Sequence, residues 1–324
     1  MSARVLREAE LREAVGINDA ALAAVESAFS CLQRGEVNMP PIMHISADDK
    51  NGDIDVKSAY VKGMPYIAIK IASGFYDNPS RGLPSGSAMM VLLDAETGFC
   101  EAVLFDNSYL TDLRTGLAGA VAAKYLAPSE FETVGVIGTG VQARYQVECL
   151  ALVRSFNKVV VWGRSIDKAR VYAEEMAKKH GLDVELAASP DEVVQKSQVV
   201  ITATASDRPL VSAEALHEGL HITAVGADFP GKQELAADVL TRADLLVCDR
   251  LAQCRVNGEI QHVVTDNELS GGLDIVELGE LTTGLRIGRQ SDQEITVCDL
   301  TGTGVQDTAI ANLAYRGAIT SFTT

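Results

Sequence analysis

Lys70 stands in a setting that suggests proton chemistry. It follows the apolar residues Ile67, Ala68 and Ile69 in a segment that predicts a β-strand. An unpaired ammonium group buried there would cost several kcal/mol. Burial would lower the pKa of Lys70 until it could transfer protons near neutral pH. If the strand instead lies at a sheet edge, Lys70 reaches water, and the residues alone leave both interpretations open.

Asp228 and Arg114 extend this set of candidate groups. Asp228 follows a predicted strand at its carboxyl end, where ligands of open parallel sheets bind, so its carboxylate could donate or accept a proton. The residues 228–231 also fit an ordinary turn. Arg114 lies in the first turn of a predicted helix, where a cation is mildly unfavourable. We therefore expect an anionic partner for Arg114, and its planar guanidinium suits a carboxylate.

A glycine turn after a short apolar strand carries a dinucleotide motif. Residues 134–137 predict a strand buried on both faces, and helical spacing begins at residue 141. Strand, turn and helix are the context in which G-x-G-x-x-G/A binds a diphosphate at the helix N-terminus. The alternative is a turn used only for packing. The predicted cofactor-binding residues here are Gly138, Thr139, Gly140, Val141, Gln142 and Ala143.

The next predicted strand bears on the choice of cofactor. Residues 158–162 are followed by Gly163, Arg164 and Ser165, so no carboxylate is present to bind an adenosine ribose. Arg164 and Ser165 could instead hold a 2′-phosphate, which favours NADP(H) and leaves NAD(H) as the second choice. Alternatively, Arg164 stacks on the adenine. Other predicted contacts are Thr115, which could cap its helix or contact the phosphates, and the ends of two later strands, Thr202, Ala203, Thr204, Val225 and Gly226.

The elements that position these groups are of two kinds. Residues 7–34 have helical spacing, and residues 42–105 predict strands and turns. From residue 133 onwards strands and helices alternate, which predicts a Rossmann-type doubly wound parallel sheet. The fold class is therefore α/β with a second, smaller α+β part. The sheet edges of that smaller part must be covered by other residues of the chain or by a second subunit.

Composition excludes several classes of function. The chain of 324 residues carries 28 basic and 44 acidic residues, and its net charge of −16 opposes binding to nucleic acid or to anionic membranes. Its six cysteines are scattered, so we predict buried thiols in a reducing compartment, with neither a metal site nor a disulfide framework. The absence of an opening signal segment and of an apolar run of about 18 residues predicts a cytoplasmic protein.

A set of segments in a fixed order resembles the ornithine cyclodeaminase/mu-crystallin family over nearly the whole chain. These segments are the glycine turn and residues 66–70, 78–84, 94–98, 110–115, 224–235, 258–260, 277–280 and 301–307. Within the family, residues 39–42 and 106–115 are most similar to the branch of ectoine-utilisation protein C. Family members combine a Rossmann domain with a substrate domain whose sheet pairs with that of a second subunit.

The resemblance implies roles for both parts of the chain. Residues 114–307 would form the Rossmann domain, and residues 1–113 with 308–324 would form the substrate-binding and dimerisation domain of a homodimer. Lys70 corresponds to the family's catalytic lysine and Asp228 to its general acid/base. Arg114 corresponds to the arginine that binds the α-carboxylate of the substrate.

The sequence departs from the cyclodeaminase pattern between residues 43 and 57. No arginine stands near Met43 or His44, where family members commonly place a second carboxylate ligand. Asp55 corresponds best to the glutamate that cyclodeaminases use near the distal amine of ornithine. Lys57 shares a strand face with Asp55, and Lys57 or His44 could replace the missing arginine. His44 could equally be an ordinary half-buried histidine.

These expectations combine into an NAD(P)H-dependent oxidoreductase that reduces an imine next to a carboxylate, in ectoine or amino-acid catabolism. Lys70 and Asp228 would handle protons, with Arg114, Lys57, Asp55 and His44 as the substrate-binding candidates. One alternative is an ornithine cyclodeaminase, which converts ornithine to proline and ammonia with bound NAD. Another is a binding protein like mu-crystallin, which holds thyroid hormone with NADPH. The expected partners are a small imine or amino-acid substrate and a second copy of the chain.

Overall fold

The computed structural model of this chain describes residues 3–265, 268–269 and 272–321. It divides into two compact units, Met1–Arg114 with Thr303–Thr324, and Thr115–Gly302. Residues 1–2 and 322–324 of the predicted substrate domain lie outside the described residues. The roles of substrate binding and dimerisation for that domain stay predictions.

The elements of the chain fall into two successive groups. The first group is β1 (Arg4–Arg7), α1 (Glu8–Ala14), α2 (Asp19–Gln33), β2 (Val37–Asn38), β3 (Met43–Ala47), β4 (Gly52–Val61), β5 (Tyr66–Phe75), β6 (Gly86–Asp94), β7 (Cys100–Phe105) and α3 (Tyr109–Leu126). The second group is β8 (Thr133–Ile137), α4 (Val141–Leu150), β9 (Lys158–Trp162), α5 (Ile166–His180), β10 (Asp183–Leu186), α6 (Pro190–Gln195), β11 (Val199–Thr202), β12 (Asp207–Val211), β13 (His221–Ala224), β14 (Gln233–Leu235), α7 (Ala237–Thr241), β15 (Leu245–Cys248), α8 (Leu251–Asn257), β16 (Val264–Thr265), β17 (Glu268–Leu269), β18 (Ile275–Glu277), α9 (Leu278–Thr282), β19 (Thr296–Asp299) and α10 (Gly304–Ser321).

A largely antiparallel sheet organises the first unit. Its strand order is β1-β7-β6-β5-β4-β2, and β3 also pairs with β4. Because side chains alternate along each strand, one face of this sheet is covered, and α10 packs against β4, β5 and α2. Fully buried apolar residues of this face include Ala68, Met90, Leu92 and Leu104.

The sequence analysis did not identify β1 and β2. Both strands are short, at four and two residues, so neither shows the two-residue alternation over a useful length. β1 is defined by pairing, since it runs parallel to β7 with Val5 opposite Val103 and Leu6 opposite Leu104. Long-range pairing of this kind leaves little trace in local sequence.

A parallel sheet forms the second unit. Its strand order is β10-β9-β8-β11-β13-β19-β15-β18, with all neighbours parallel. The order changes direction at β8, so the glycine turn that follows β8 lies at the switch point where ligands of such sheets bind. The α/β class and the doubly wound parallel sheet are confirmed. The three-residue strand β18 was not predicted.

Asn18 caps α2 by accepting the N–H of Ala21 at 2.9 Å. Among the cysteines, Cys149, Cys248, Cys254 and Cys298 are buried as predicted. Cys31 is half-buried and Cys100 is exposed, so the expectation of a buried thiol is wrong for Cys100. Taken one at a time, the described helices are too short or too polar to cross a membrane, and only α1 and α2 together, bent by 94°, have the length and composition.

Candidate active site

The glycine turn between β8 and α4 has the geometry of an anion site. Gly138 has a φ of +121°, and a Cβ on it would lie 2.5 Å from the carbonyl oxygen of Ala203. Only glycine fits there. Gly140 precedes α4 without a side-chain cap, and a Cβ on it would meet no heavy atom within 4 Å. The N-terminus of α4 is therefore bordered by open space that suits a diphosphate.

Arg144 braces this turn. Its Nη1 donates to the carbonyl oxygens of Thr139 at 2.9 Å and Gly140 at 3.0 Å. Its Nε and Nη2 donate to Glu175 Oε2 at 2.9 and 2.6 Å. Ala143 is fully buried, so the third motif position is small because the helix packs closely there. These contacts fix the carbonyls of the turn and leave the helix N-terminus to a ligand.

A buried glutamate that the sequence analysis did not identify joins the ends of β11 and β13. Glu234 Oε1 accepts the N–H of Thr204 at 2.6 Å, and its Oε2 accepts Thr202 Oγ1 at 2.7 Å and the N–H of Gly226 at 2.9 Å. Burial raises the pKa of Glu234 to about 7, although the Thr202 and Thr204 hydrogen bonds oppose the shift. One carboxylate thus fixes three of the predicted cofactor positions.

A second buried acid, Glu259, binds the backbone of Glu234, and a third, Asp299, interacts with Glu259. Glu259 accepts the backbone N–H groups of Glu234 at 2.7 Å and Leu235 at 3.1 Å. Asp299 Oδ2 accepts the N–H of Ile260 at 3.0 Å. Burial raises the pKa of Glu259 to about 9, with the charges of Asp299 and then Glu234 adding to the shift. Burial also raises the pKa of Asp299 to about 7.

The predicted 2′-phosphate ligands lie at the start of α5. Ser165 is the N-cap of α5, and its Oγ accepts the N–H of Lys168 at 3.4 Å, whereas Arg164 is exposed. A hollow of about 240 Å³ separates this helix start from the glycine turn, lined by Thr139, Arg144, Asp167, Lys168 and Val171. Capping uses one acceptor position of the Ser165 oxygen and leaves its hydroxyl able to donate to a phosphate, so Arg164 and Ser165 both stay candidates.

Asp228 occupies the position that the sequence predicts, just beyond the carboxyl end of β13 and directly after the buried Ala227. Its Oδ1 lies 2.6 Å from Lys232 Nζ, and its side chain is 50% exposed. Gly231, with a φ of +84°, completes the turn that sets Lys232 opposite Asp228. The carboxylate is therefore accessible at the ligand-binding edge and also belongs to a turn, so its proton-transfer role stays a prediction.

Lys70 lies on the covered face of the first sheet. Its strand β5 is central, between β4 and β6, and Lys70 stands opposite Lys57 of β4 in the antiparallel register. Lys70 is 2% exposed and Lys57 is 8% exposed. The edge-strand interpretation of Lys70 is therefore wrong.

Asp307 of α10 is the counter-ion of this buried group. Lys70 Nζ donates to Asp307 Oδ1 at 3.1 Å and lies 2.9 Å from Oδ2. Arg114 Nε donates to the same Oδ1 at 2.8 Å, and Arg114 Nη1 donates to Gln306 Oε1 at 3.2 Å. The sequence analysis did not identify Asp307 as a site residue. The available signal was an acid in the first turn of a long apolar helix, within the resembling segment 301–307.

The electrostatics of this group follow from burial and mutual charge. Burial and then the charge of Arg114 lower the pKa of Lys70 to about 7, while Asp307 acts in the opposite sense. Burial alone would raise the pKa of Asp307, but the charges of Arg114 and then Lys70 outweigh it and hold that pKa below its usual value. Lys70 can therefore give up or accept a proton near neutral pH.

Arg114 differs from expectation in its place on the helix. Because α3 begins at Tyr109, Arg114 lies in the second turn, so the helix-dipole argument applies less strongly. Its anionic partner is present, and it is Asp307 of the protein itself. A second buried acid, Asp106, precedes α3 and accepts the N–H of Leu110 at 2.9 Å. Burial raises the pKa of Asp106 to about 6.

His44 and Asp55 form a pair on the same sheet. They face each other across β3 and β4, and His44 Nδ1 lies 2.8 Å from Asp55 Oδ1. Asp55 and Lys57 share a strand face, as the alternation predicts. Since His44 is bound to Asp55, Lys57 is the better candidate to replace the missing arginine. Thr115 lies within α3 and its carbonyl accepts Gln146 Nε2 at 2.9 Å, so the expectation that Thr115 caps its helix is wrong.

Each unit thus assembles part of the predicted site. The first unit brings Lys57, Lys70 and Arg114 together around Asp307. In the second unit the glycine turn meets Ala203 and Thr204, and Gly226 packs against Thr204. The residues of the second unit fit a dinucleotide, because the open N-terminus of α4 and the glycine at each close approach are both present.

Comparison with known proteins identifies the chain. Its residues 1–321 match the model of the ornithine cyclodeaminase/mu-crystallin family. The chain belongs to this family. Among family relatives, it is 42% identical over 316 residues to the uncharacterized cyclodeaminase y4tK of Sinorhizobium fredii, covering 97% of this chain and 96% of the relative. It is 38% identical over 325 residues to the alanine dehydrogenase of Archaeoglobus fulgidus, covering 98% and 96%.

Solved structures of the family have the same fold. An archaeal alanine dehydrogenase dimer with bound NAD has a TM-score of 0.91 at 35% identity, covering 99% of this chain and 98% of that one. The Thermococcus litoralis Δ1-pyrroline-2-carboxylate reductase with NADH and L-proline has a TM-score of 0.91 at 30% identity, covering 98% of both chains. The iminosuccinate reductase of Paracoccus denitrificans with NAD⁺ has a TM-score of 0.89 at 29% identity, covering 99% and 97%. The present chain is an NAD(P)-dependent enzyme of the imine reductase or ornithine cyclodeaminase kind.

Proposed function

We propose that this family member reduces an imine next to a carboxylate to the corresponding amino or imino acid. The observation that carries the proposal is the buried group of Lys70, Asp307 and Arg114. It combines an amine that can exchange a proton near neutral pH with a guanidinium suited to a carboxylate. The relatives named for pyrroline-2-carboxylate and iminosuccinate reduction support this class of substrate. A place in ectoine or amino-acid catabolism stays a prediction.

Each residue of the proposed site would have a separate chemical role. Arg114 would hold the substrate carboxylate, and among its described contacts none uses Nη2, so this arm of the guanidinium can bind a ligand. Lys70 and Asp228 would carry protons to and from the reacting nitrogen. Lys57, buried opposite Lys70, would add positive charge for the carboxylate. A nicotinamide cofactor at the glycine turn would supply the hydride.

The test is a panel of imines with and without a carboxylate. We expect cofactor oxidation with Δ1-pyrroline-2-carboxylate and with keto acids mixed with ammonia or methylamine. The matched control is 1-pyrroline, which keeps the ring and the imine but lacks the carboxylate, and turnover with it should be far slower. Equal rates with both imines would contradict a role for Arg114 in carboxylate binding, and no turnover with any imine would contradict the reductase.

Ornithine cyclodeaminase is the second candidate, and Asp55 is the observation that favours it. Asp55 is a partly buried carboxylate on the face that carries Lys57 and Lys70, where it could bind a distal amine. Its pairing with His44 weakens this proposal, because that carboxylate already has a partner. Release of ammonia from L-ornithine, with proline formed and only catalytic NAD⁺ present, would support this candidate over the reductase. A mu-crystallin-like binder would turn over neither substrate.

We further propose that NADPH binds better than NADH. Support comes from the exposed Arg164 two residues after β9, the absence of an acid at residues 163–165, and Lys168 in the first turn of α5. The solved relatives hold NAD or NADH, so this preference would distinguish the present chain from them. Fluorescence titration with both cofactors measures it.

The matched variant for this titration is Arg164→Ala. It should weaken NADPH binding and leave NADH binding unchanged, since only NADPH has the 2′-phosphate. Arg170→Ala, which removes an exposed arginine of α5 that pairs with Asp167 at the surface, is the control for a general loss of charge. A tenfold preference of the natural protein for NADH would contradict the proposal.

We also propose a homodimer, joined through the uncovered face of the first sheet. The sequence predicts assembly through the sheet edges, but short strands occupy those edges, namely β1 at one and β2 with β3 at the other. The support lies instead on the face opposite α10, where apolar residues continue from strand to strand, with Val5 at 53% and Met43 at 57% exposed. Its members are Val5, Met43, Ile45, Ile54, Val56, Ile67, Ile69, Ile71, Met89, Val91, Leu93, Val103 and Phe105.

An apolar face of this extent on one side of a sheet indicates burial against another surface. We expect light scattering at micromolar concentration to give twice the 34.5 kDa mass of one chain. Ile69→Glu, at the centre of the face, should yield monomers, whereas Leu285→Glu, an exposed apolar residue of the second unit, should leave the mass unchanged. A monomeric natural protein would contradict the homodimer.

A further inference from the structure

Lys70 and Arg114 donate to the same oxygen, Oδ1 of Asp307. All three side chains are buried, so water screens their charges weakly. A change in charge at one of these side chains therefore changes the electrostatic energy of the other two. The charged groups that face Lys70 are Lys57 of β4, Asp106 before α3, Arg114 of α3 and Asp307 of α10.

Among the described residues, no other neighbour of Lys70 is a charged group that stands alone. Strand β6 places the apolar Met90 opposite Lys70. The His44–Asp55 pair lies farther along β3 and β4 and combines a carboxylate with an imidazole. The balance of the buried group is therefore set by three basic and two acidic side chains.

With Lys70 protonated, this group holds one cation more than its carboxylates neutralise. A buried excess charge is unfavourable, and a guanidinium cannot lose its proton. Lys70 is more deeply buried than Lys57, at 2% against 8% exposed, so Lys70 relieves the excess by losing its proton. Burial lowers the pKa of Lys70 to about 7, which favours the loss of its proton. A ligand carboxylate at Arg114 would supply the missing negative charge and make the protonated lysine favourable again.

We propose that Asp307 is a positioning residue that couples carboxylate binding at Arg114 to protonation of Lys70, so that the enzyme takes up a proton at Lys70 as its substrate binds. This rests on the proposed function, and it specifies how that site is used. Lys70 becomes a proton donor only when the carboxylate, and with it the neighbouring imine, is in place. By reciprocity, carboxylate affinity falls as rising pH removes the proton from Lys70.

Calorimetry tests the coupling without turnover. The protein saturated with NADH is titrated with L-proline near pH 7, in phosphate and in Tris, which differ in ionisation enthalpy. We expect the binding heat to depend on the buffer and to correspond to uptake of a fraction of a proton, because burial lowers the pKa of Lys70 to about 7. Lys70→Met should bind L-proline with this uptake removed, and any proton exchange by the ligand itself is the same in both proteins.

Variants of Asp307 test its role. Asp307→Asn should move the proton uptake to lower pH, because Lys70 loses the carboxylate that favours its charged form. Asp307→Glu should restore the pH range of the natural protein, which a merely structural contribution to folding would not predict. Thermal unfolding shows whether Asp307→Asn folds. If it does not fold, comparison of the natural protein with Asp307→Glu and Lys70→Met still tests the coupling.

The outcomes separate this inference from the proposed function. Equal proton uptake by the natural protein and Lys70→Met, or an Asp307→Asn profile that matches the natural one, would overturn the coupling. Imine turnover without linked uptake would overturn the coupling alone, and linked uptake without turnover of any imine would overturn the reductase alone. If L-proline does not bind, the carboxylate site and the coupling fail together.

Discussion

Asp228→Asn is expected to lower turnover of a carboxylate-bearing imine by about 10²–10⁴-fold, the usual range for loss of a general acid or base. Asparagine keeps the size of the side chain and its hydrogen-bonding capacity but cannot carry the proton. Asp228 is 50% exposed at the carboxyl end of β13, so removal of its charge leaves no buried group without a partner. Cofactor oxidation at saturating imine measures the effect, and cofactor affinity should change little.

Asp238→Asn is the matched control for this substitution. Asp238 is also 50% exposed, and it also faces a cation four residues on, Arg242, at 4.0 Å. Loss of this ion pair should leave turnover unchanged, because surface pairs of this kind contribute little. If Asp228→Asn also retained most of its turnover, Asp228 would be a turn residue that pairs with Lys232, and its assignment to proton transfer would be wrong.

Lys70→Met is expected to have an effect on turnover of similar size, about 10²–10⁴-fold. Methionine approximates the length of the lysine stem and leaves Asp307 paired with Arg114, so the buried carboxylate keeps a partner. We expect the fold to persist, which circular dichroism would show. The turnover that remains should no longer follow the ionisation of an amine near pH 7.

Lys57→Met provides the contrast to Lys70→Met. Lys57 is buried directly opposite on β4, so both variants remove one ammonium from the same sheet face. The predicted role of Lys57 is in substrate binding, so Lys57→Met should raise KM more than it lowers kcat. The double variant Lys70→Met with Asp228→Asn should lose less than the product of the two single losses if both groups serve one proton transfer. A fully multiplicative loss would contradict a shared role.

Local sequence was sufficient to predict the dinucleotide turn of the second unit. The strand, the glycines and the helix of the dinucleotide turn lie within about a dozen consecutive residues, and each has a local cause, such as the positive φ of Gly138. The alternation of strands and helices likewise fixed the parallel sheet. Short elements such as β1 and β18 escaped prediction because they are defined by pairing partners distant in sequence.

The residues that neutralise buried charge could not be predicted in the same way. Asp307 lies 237 positions from Lys70, and Glu234 lies 32 positions from Thr202. The sequence indicated that Lys70 needs a partner if it is buried and that Arg114 needs an anion, but it did not indicate that one carboxylate serves both. Such a choice depends on how α10 packs on β4 and β5, which periodicity does not reveal.

The late position of Asp307 in the chain has a consequence for biosynthesis. The first unit is closed by residues that follow the whole second unit, so β5 is translated long before the helix that neutralises its lysine. At 5–20 residues per second, the 237-residue interval corresponds to about 12–47 s on the ribosome. During that time the second unit can fold by itself as a contiguous segment, whereas the face of β5 that carries Lys70 must stay hydrated. Final closure of the first unit therefore follows synthesis of the second unit, and it coincides with the docking of α10.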